Sequence, residues 1–330
     1  MEKERNRVLW IDTAKGIGMI LVILGHVLTA FSRQINNTDI FNALPVKVIV
    51  SFNMPLFFFL SGIFIKSTLK KSFSTIFIDK FKRLMIPYFC WGIVSVIFFS
   101  LYTHVSPIIR IVELPIRPIF VLWFVYSMFI SMIAFYILEK NLNRYIILIL
   151  SVILFFVGQI ITDKYGIAID SYAKPIIGFC RNFVFMYLGF MMHKIIYVKR
   201  ENKITVGLII ISAVIVVFLN SIELSSIYVL QINQMFISLA GIVLICTVSY
   251  IISDNKLIQS TVTFIGTISM EVYLIHKIVV EIVSVVLIHL TTNVYIFSVL
   301  NVITTLIICL VIRFIIDYFH LGKVFFGYLK

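Results

Sequence analysis

Charge is what this chain has least of. Only 13% of its 330 residues are Asp, Glu, Lys or Arg, about half the roughly 25% of an ordinary water-soluble domain. With 61% hydrophobic residues and a mean hydropathy of +1.08, that scarcity argues against a soluble globular protein and for a polytopic membrane protein. Cysteine is also scarce. Cys90, Cys180, Cys246 and Cys309 all lie inside or at the edge of apolar runs, so they read as small buried residues and not as a disulfide framework. No metal-spaced cluster, Gly-x-Ser-x-Gly elbow, P-loop, internal repeat or low-complexity segment is present. Polar segments between the apolar runs are short, so residues 1–330 are expected to form a single transmembrane domain with no appended soluble domain.

What is present is a series of apolar runs, each near the 20 or so residues that cross a bilayer. They fall near 8–31, 43–65, 84–103, 119–139, 145–162, 174–197, 204–220, 232–252, 263–289 and 293–316. The first follows a basic start (Lys3, Arg5, Arg7) but is too long and too polar for a signal peptide, so it reads as an uncleaved span. The expected fold is an all-α bundle of about ten transmembrane helices.

Basic residues then orient the bundle. With the N-terminus inside, 19 Lys and Arg fall on the cytoplasmic side, six on the other (Arg33, Lys47, Arg110, Arg117, Lys164, Lys174), and three within spans (Lys15, Arg181, Lys277). That asymmetry predicts both termini in the cytoplasm. It also accounts for the net charge of +13 without nucleic acid, since the basic loops face anionic lipid.

The first run, "IDTAKGIGMILVILGH" (11–26), carries three ionisable residues. At 100° per residue, Asp12, Lys15 and His26 share a narrow stripe, which is expected to face the bundle interior because ionisable groups facing lipid are costly. His26 stands about 21 Å along the axis from Asp12, so Asp12 does not orient it. Asp12 and Lys15 alone also fit an interfacial ion pair with Lys15 snorkelling to the headgroups. His26 alone also fits a helix–helix hydrogen bond.

Other stretches complete a pattern: "FNMPLFFFLSGIFI" (52–65) with a proline-broken start, "DKFKRLMIPYF" (79–89), "LWFVYSMF" (122–129) and "ISMEVYLIHKIV" (268–279). Together and in this order they resemble the acyltransferase type 3 family of membrane O-acyltransferases, most closely its fucose 4-O-acetylase-like subgroup. Two departures stand out. Lys15 occupies a position where many members have arginine, and the family's Arg-x-x-Arg reads Lys80-x-x-Arg83. Both keep charge, although lysine lacks the bidentate fork.

The resemblance implies acetyl-CoA as a cytoplasmic acyl donor, with no metal. It implies as acceptor a sugar hydroxyl of a cell-surface polysaccharide or its lipid-linked precursor, in a bacterial plasma membrane. His26 matches the family's first-span histidine and is the candidate general base, a task suited to its ordinary pKa of about 6.5. Asn53 is the candidate to orient that ring or stabilise the oxyanion, and also fits an ordinary interhelical hydrogen bond. Lys80, Lys82 and Arg83, with Lys15 a turn inside, are candidates for the donor phosphates; positive-inside bias is the plainer account of Lys66, Lys70 and Lys71. Asp12, Arg181, Trp123, Glu271 and His276 are the candidates for substrate contact. His104, His289 and His320 lie at span ends or outside spans and carry no assignment. A secondary transporter or flippase for lipid-linked glycans is the alternative, with the buried charges as its binding or proton sites.

Overall fold

The computed structural model describes residues 8–103, 106–166, 171–193, 202–224, 226–253 and 256–328. Lys3, Arg5, Arg7, His104, Lys194, Lys199, Arg200 and Lys330 lie outside them. All regular structure among the described residues is helical: α1 (Leu9–Gln34), α2 (Asp39–Asn42), α3 (Leu44–Phe64), α4 (Phe73–Lys80), α5 (Ile86–Thr103), α6 (Pro107–Glu113), α7 (Trp123–Asn141), α8 (Arg144–Tyr165), α9 (Lys174–Met192), α10 (Asn202–Ser221), α11 (Ile227–Ile252), α12 (Lys256–Thr267), α13 (Ser269–Leu287), α14 (Val294–Tyr318) and α15 (Gly322–Phe325). The reason is solvation. In hydrocarbon each backbone N–H and C=O needs an internal partner, and an uninterrupted helix supplies nearly all of them.

Nine helical segments among the described residues are long and apolar enough to cross a membrane. The third runs from Phe73 to Leu101 through a turn of π-helix at Phe81–Met85. Lys80, Lys82 and Arg83, expected in a loop before the third span, therefore stand on a helix continuous with it. The expected ninth span, 263–289, is divided at Ile268 into α12 and α13. Helix α13 is not among the nine, because it carries three charged residues, Glu271, Lys277 and Glu281, within one span's length. It nevertheless runs parallel to α1, because His276 lies beside His26 and Glu281 beside Arg33.

Helix α1 is central, packing on α3, α11, α12, α13 and α14. Its crossing with α12 depends on glycine: a Cβ at Gly266 would lie 1.7 Å from the Asp12 carbonyl oxygen, so the backbones meet without side chains between them.

Pro55 does not break the second span as expected; α3 continues through it. Proline lacks the N–H that would bond the carbonyl four residues earlier, here Ser51. Two side chains of α11 take that carbonyl instead: Gln234 Nε2 donates to it at 2.7 Å and Ser238 Oγ at 3.2 Å. A tertiary contact thus replaces the lost helical bond.

At the end of the bundle where α1 begins, the C-terminal segment folds back on α5. Trp91 Nε1 donates to the Phe325 carbonyl at 2.9 Å, and Gly327, at φ +67°, sits against the Arg83 backbone. A Cβ at Gly327 would approach the Arg83 carbonyl oxygen to 2.6 Å.

Candidate active site

The three ionisable residues of α1 separate into two groups. Lys15 Nζ lies 3.2 Å from Asp12 Oδ1 and 5.7 Å from the centroid of the Phe64 ring. Both residues stand at the end of the bundle where α1 begins and α3 ends. His26 is about 21 Å further along the axis, and its ring faces a different helix.

That helix is α13. The His26 and His276 ring centroids are 5.2 Å apart at an interplanar angle of 44°. His276 is fully buried, and its Nδ1 lies 2.6 Å from the Tyr273 carbonyl oxygen. A carbonyl only accepts, so Nδ1 carries the proton and Nε2 is left with a lone pair. Nε2 is buried with no hydrogen-bond partner among the described residues. A buried, unpaired acceptor is costly to fold, and here it stands beside another imidazole.

Three contacts hold α13 in this register. The Tyr273 hydroxyl donates to the Val121 carbonyl in the short turn before α7. Asn301 Nδ2 of α14 donates to Ser284 Oγ at 2.9 Å, while Asn301 Oδ1 accepts from Thr305 Oγ1 at 3.1 Å. On the face shared with α1, Glu281 accepts from Lys277 at 2.5 Å and from Arg33 at 2.6 Å. Glu281 thus sets the charge balance one turn beyond the histidine pair. Sequence reasoning did not single it out, although its four-residue spacing from Lys277 on an apolar helix was a usable signal.

Asn53 is 4% exposed, and its Oδ1 is buried without a partner among the described residues. It makes no hydrogen bond to His26. Lys82 and Arg83 are exposed on the π-turn, and Lys80 is half-buried before it. No direct contact joins Arg83 to Lys15, although both stand at the same end of the bundle. Glu271 is at that end too, accepting from the Tyr328 hydroxyl at 3.2 Å, about 7.5 Å along α13 from His276. Trp123 and Arg181 are elsewhere, lining a cavity between α3, α7, α8, α9 and α11. No group of three or more His, Cys, Asp or Glu suited to a metal is found among the described residues.

The structure thus defines a multi-pass helical bundle with a histidine pair between α1 and α13 and basic side chains at one end. The family model described as "Acyltransferase domain" matches residues 8–314, and the chain belongs to that family, acyltransferase type 3. The chain is similar to the nodulation protein NolL of Mesorhizobium japonicum, 34% identical over 153 residues, which is 44% of this chain and 39% of that one. It is also similar to NolL of Sinorhizobium fredii, 41% identical over 88 residues, or 26% and 24% of the two chains. The matched stretch spans well under half the length of either relative. No solved structure matches the chain significantly.

Proposed function

We propose that this protein is a membrane O-acetyltransferase. It takes an acetyl group from acetyl-CoA, presented at the cytoplasmic end of the bundle, and transfers it to a sugar hydroxyl of a cell-surface polysaccharide or its lipid-linked precursor. Family membership supports acyl transfer, and the observation that carries the chemistry is the His26–His276 pair.

In this reading His26 removes the proton from the acceptor hydroxyl. The hydroxyl oxygen attacks the thioester carbonyl, giving a tetrahedral oxyanion. That intermediate expels the coenzyme A thiolate, which takes the proton from the imidazolium. The free Nε2 of His276, whose ring lies beside that of His26, would in this reading take a hydrogen bond from the second nitrogen of His26 as the site is loaded. It would fix the tautomer that leaves the other His26 nitrogen free to act as base. The unpaired Asn53 lies on the adjacent helix, and its amide is a candidate donor to the oxyanion.

The donor reading gives Arg83, Lys80 and Lys82 the phosphates. The pantetheine arm then extends along the α1 stripe past Lys15 towards His26. The gap between Asp12 and His26 is thus what a long donor would span.

Purified protein in nanodiscs, given labelled acetyl-CoA and a panel of glycans and polyprenyl-linked sugars, tests the proposal. Label should appear as an alkali-labile ester on one acceptor class. Transport of a glycan between leaflets with no label transferred would favour the flippase alternative.

A further inference from the structure

A second polar site lies on the other flank of α3 from the histidine pair. It is a cavity of about 160 Å³ at the end of the bundle where α7 and α9 begin. Val50 and Ser51 form part of its wall, and the Val50 side chain also approaches Gly25, the residue before His26. The cavity is therefore level with His26 but separated from it by α3.

For a space between transmembrane helices its wall is unusually polar. Arg181 and Lys174 of α9 both line it, with Gln159, Asn182, Gln234, Ser51 and Trp123. Lys174 Nζ rests 5.2 Å above the Trp123 ring. Arg181 makes no hydrogen bond or ion pair with the described residues. The carboxylate that acts on it electrostatically is Asp163, which does not line the cavity and accepts from Gln231 at 3.4 Å. Gln159 is only 5% exposed and forms no hydrogen bond among the described residues. Gln234 and Ser238 also line the cavity, where they hold the Ser51 carbonyl freed by Pro55. The site thus presents two cations and an unpartnered amide, with no carboxylate in its wall. A guanidinium held among helices without a directly paired anion is expensive, and its fork is matched to carboxylate or phosphate oxygens.

We infer that this cavity binds an oxyanion, the phosphate or carboxylate of a membrane-associated ligand, between Arg181 and Lys174, with Gln159 supplying a neutral donor. The shared chemistry admits two sources: an acidic or phosphorylated glycan, and the headgroup of an anionic lipid. The site is distinct from the proposed acetyl-transfer centre and does not depend on it.

The test is binding by isothermal titration to the full chain in neutral-lipid nanodiscs. The probes are inorganic phosphate, glucuronate, glucose as the neutral control, and short-chain phosphatidylglycerol. Phosphate or glucuronate should bind and glucose should not. Arg181→Gln should weaken anion binding about tenfold to a hundredfold, the value of a charge-assisted contact. Arg181→Lys should restore part of it. Lys174→Gln and Gln159→Leu give smaller losses and stand in if the arginine variant does not fold. Tighter binding of phosphatidylglycerol than of glucuronate assigns the site to lipid, and the reverse assigns it to a glycan. Equal binding of glucose and glucuronate, or anion binding unchanged in folded Arg181→Gln and Lys174→Gln, overturns the inference. Acetyl-CoA binding to the same preparations is read separately. Loss of acetyl transfer with intact anion binding therefore counts against the enzymatic proposal alone.

Discussion

His26 and His276 come from helices about 250 positions apart in sequence, and their rings lie 5.2 Å apart where α1 meets α13. If they act as one unit, removing either should cost about what removing both costs. His26→Gln is expected to lower acetyl transfer by about 10²–10⁴-fold. His276→Gln should fall in a similar range, and the double variant should be no slower than the worse single one. Initial rates on folded protein that still binds acetyl-CoA decide this. Near-normal transfer by folded His26→Gln would end the mechanism.

Glu281 holds the partly buried Lys277 against the same face. Glu281→Gln leaves that ammonium unpaired, and breaking a buried pair costs about 3–5 kcal/mol. The variant should melt well below wild type in detergent. Adding Lys277→Met should recover most of the loss, because the orphaned charge goes with it. Equal melting temperatures for single and double variants would show that the pair carries no such energy.

The exposed π-turn makes Arg83 accessible to a soluble donor. Arg83→Ala should weaken acetyl-CoA binding most at low salt, with the difference from wild type shrinking as salt screens the phosphate contacts. Donor affinity unchanged at every salt concentration would return this cluster to its role in setting topology.

Topology itself is open to labelling in intact cells. Single cysteines placed at 33–40 should react with an impermeant maleimide from outside, and those at 72–78 should not. Labelling at 72–78 would invert the bundle and remove the proposed donor site from the cytoplasm.

Glu113, between spans, gathers Arg110, Arg117 and the Tyr172 hydroxyl at 3.1 Å each. Partial desolvation pushes its carboxyl up, but the hydrogen bonds from Tyr172, Arg110 and Arg117 outweigh it and hold the pKa below the ordinary glutamate range. A lowered carboxyl pKa stabilises the fold above the unfolded value, and that contribution is lost as pH falls through the folded one. Proteolysis near residues 107–117 should therefore accelerate in acid for wild type. The acid effect should be much weaker in Glu113→Gln, whose cleavage should be faster already at neutral pH.

Composition and pattern determined that the chain is a helical membrane bundle, because lipid leaves the backbone few alternatives and spans are local runs of sequence. The α1 stripe was legible for the same reason, since helical phase follows from counting residues. What counting does not give is which helix faces which. His26 meets His276, not Asn53, because the glycine-mediated approach of α12 to α1, the Tyr273–Val121 hydrogen bond and the Glu281 cluster set the register of α13. Continuity through Pro55 was likewise decided in three dimensions. The proline signals a missing hydrogen bond, and only the packing of α11 brings Gln234 and Ser238 to the carbonyl it leaves free. The grouping of Lys174, Arg181 and Gln159 around one cavity has the same origin: the three sit on two helices, α8 and α9, whose packing alone turns them towards a common space.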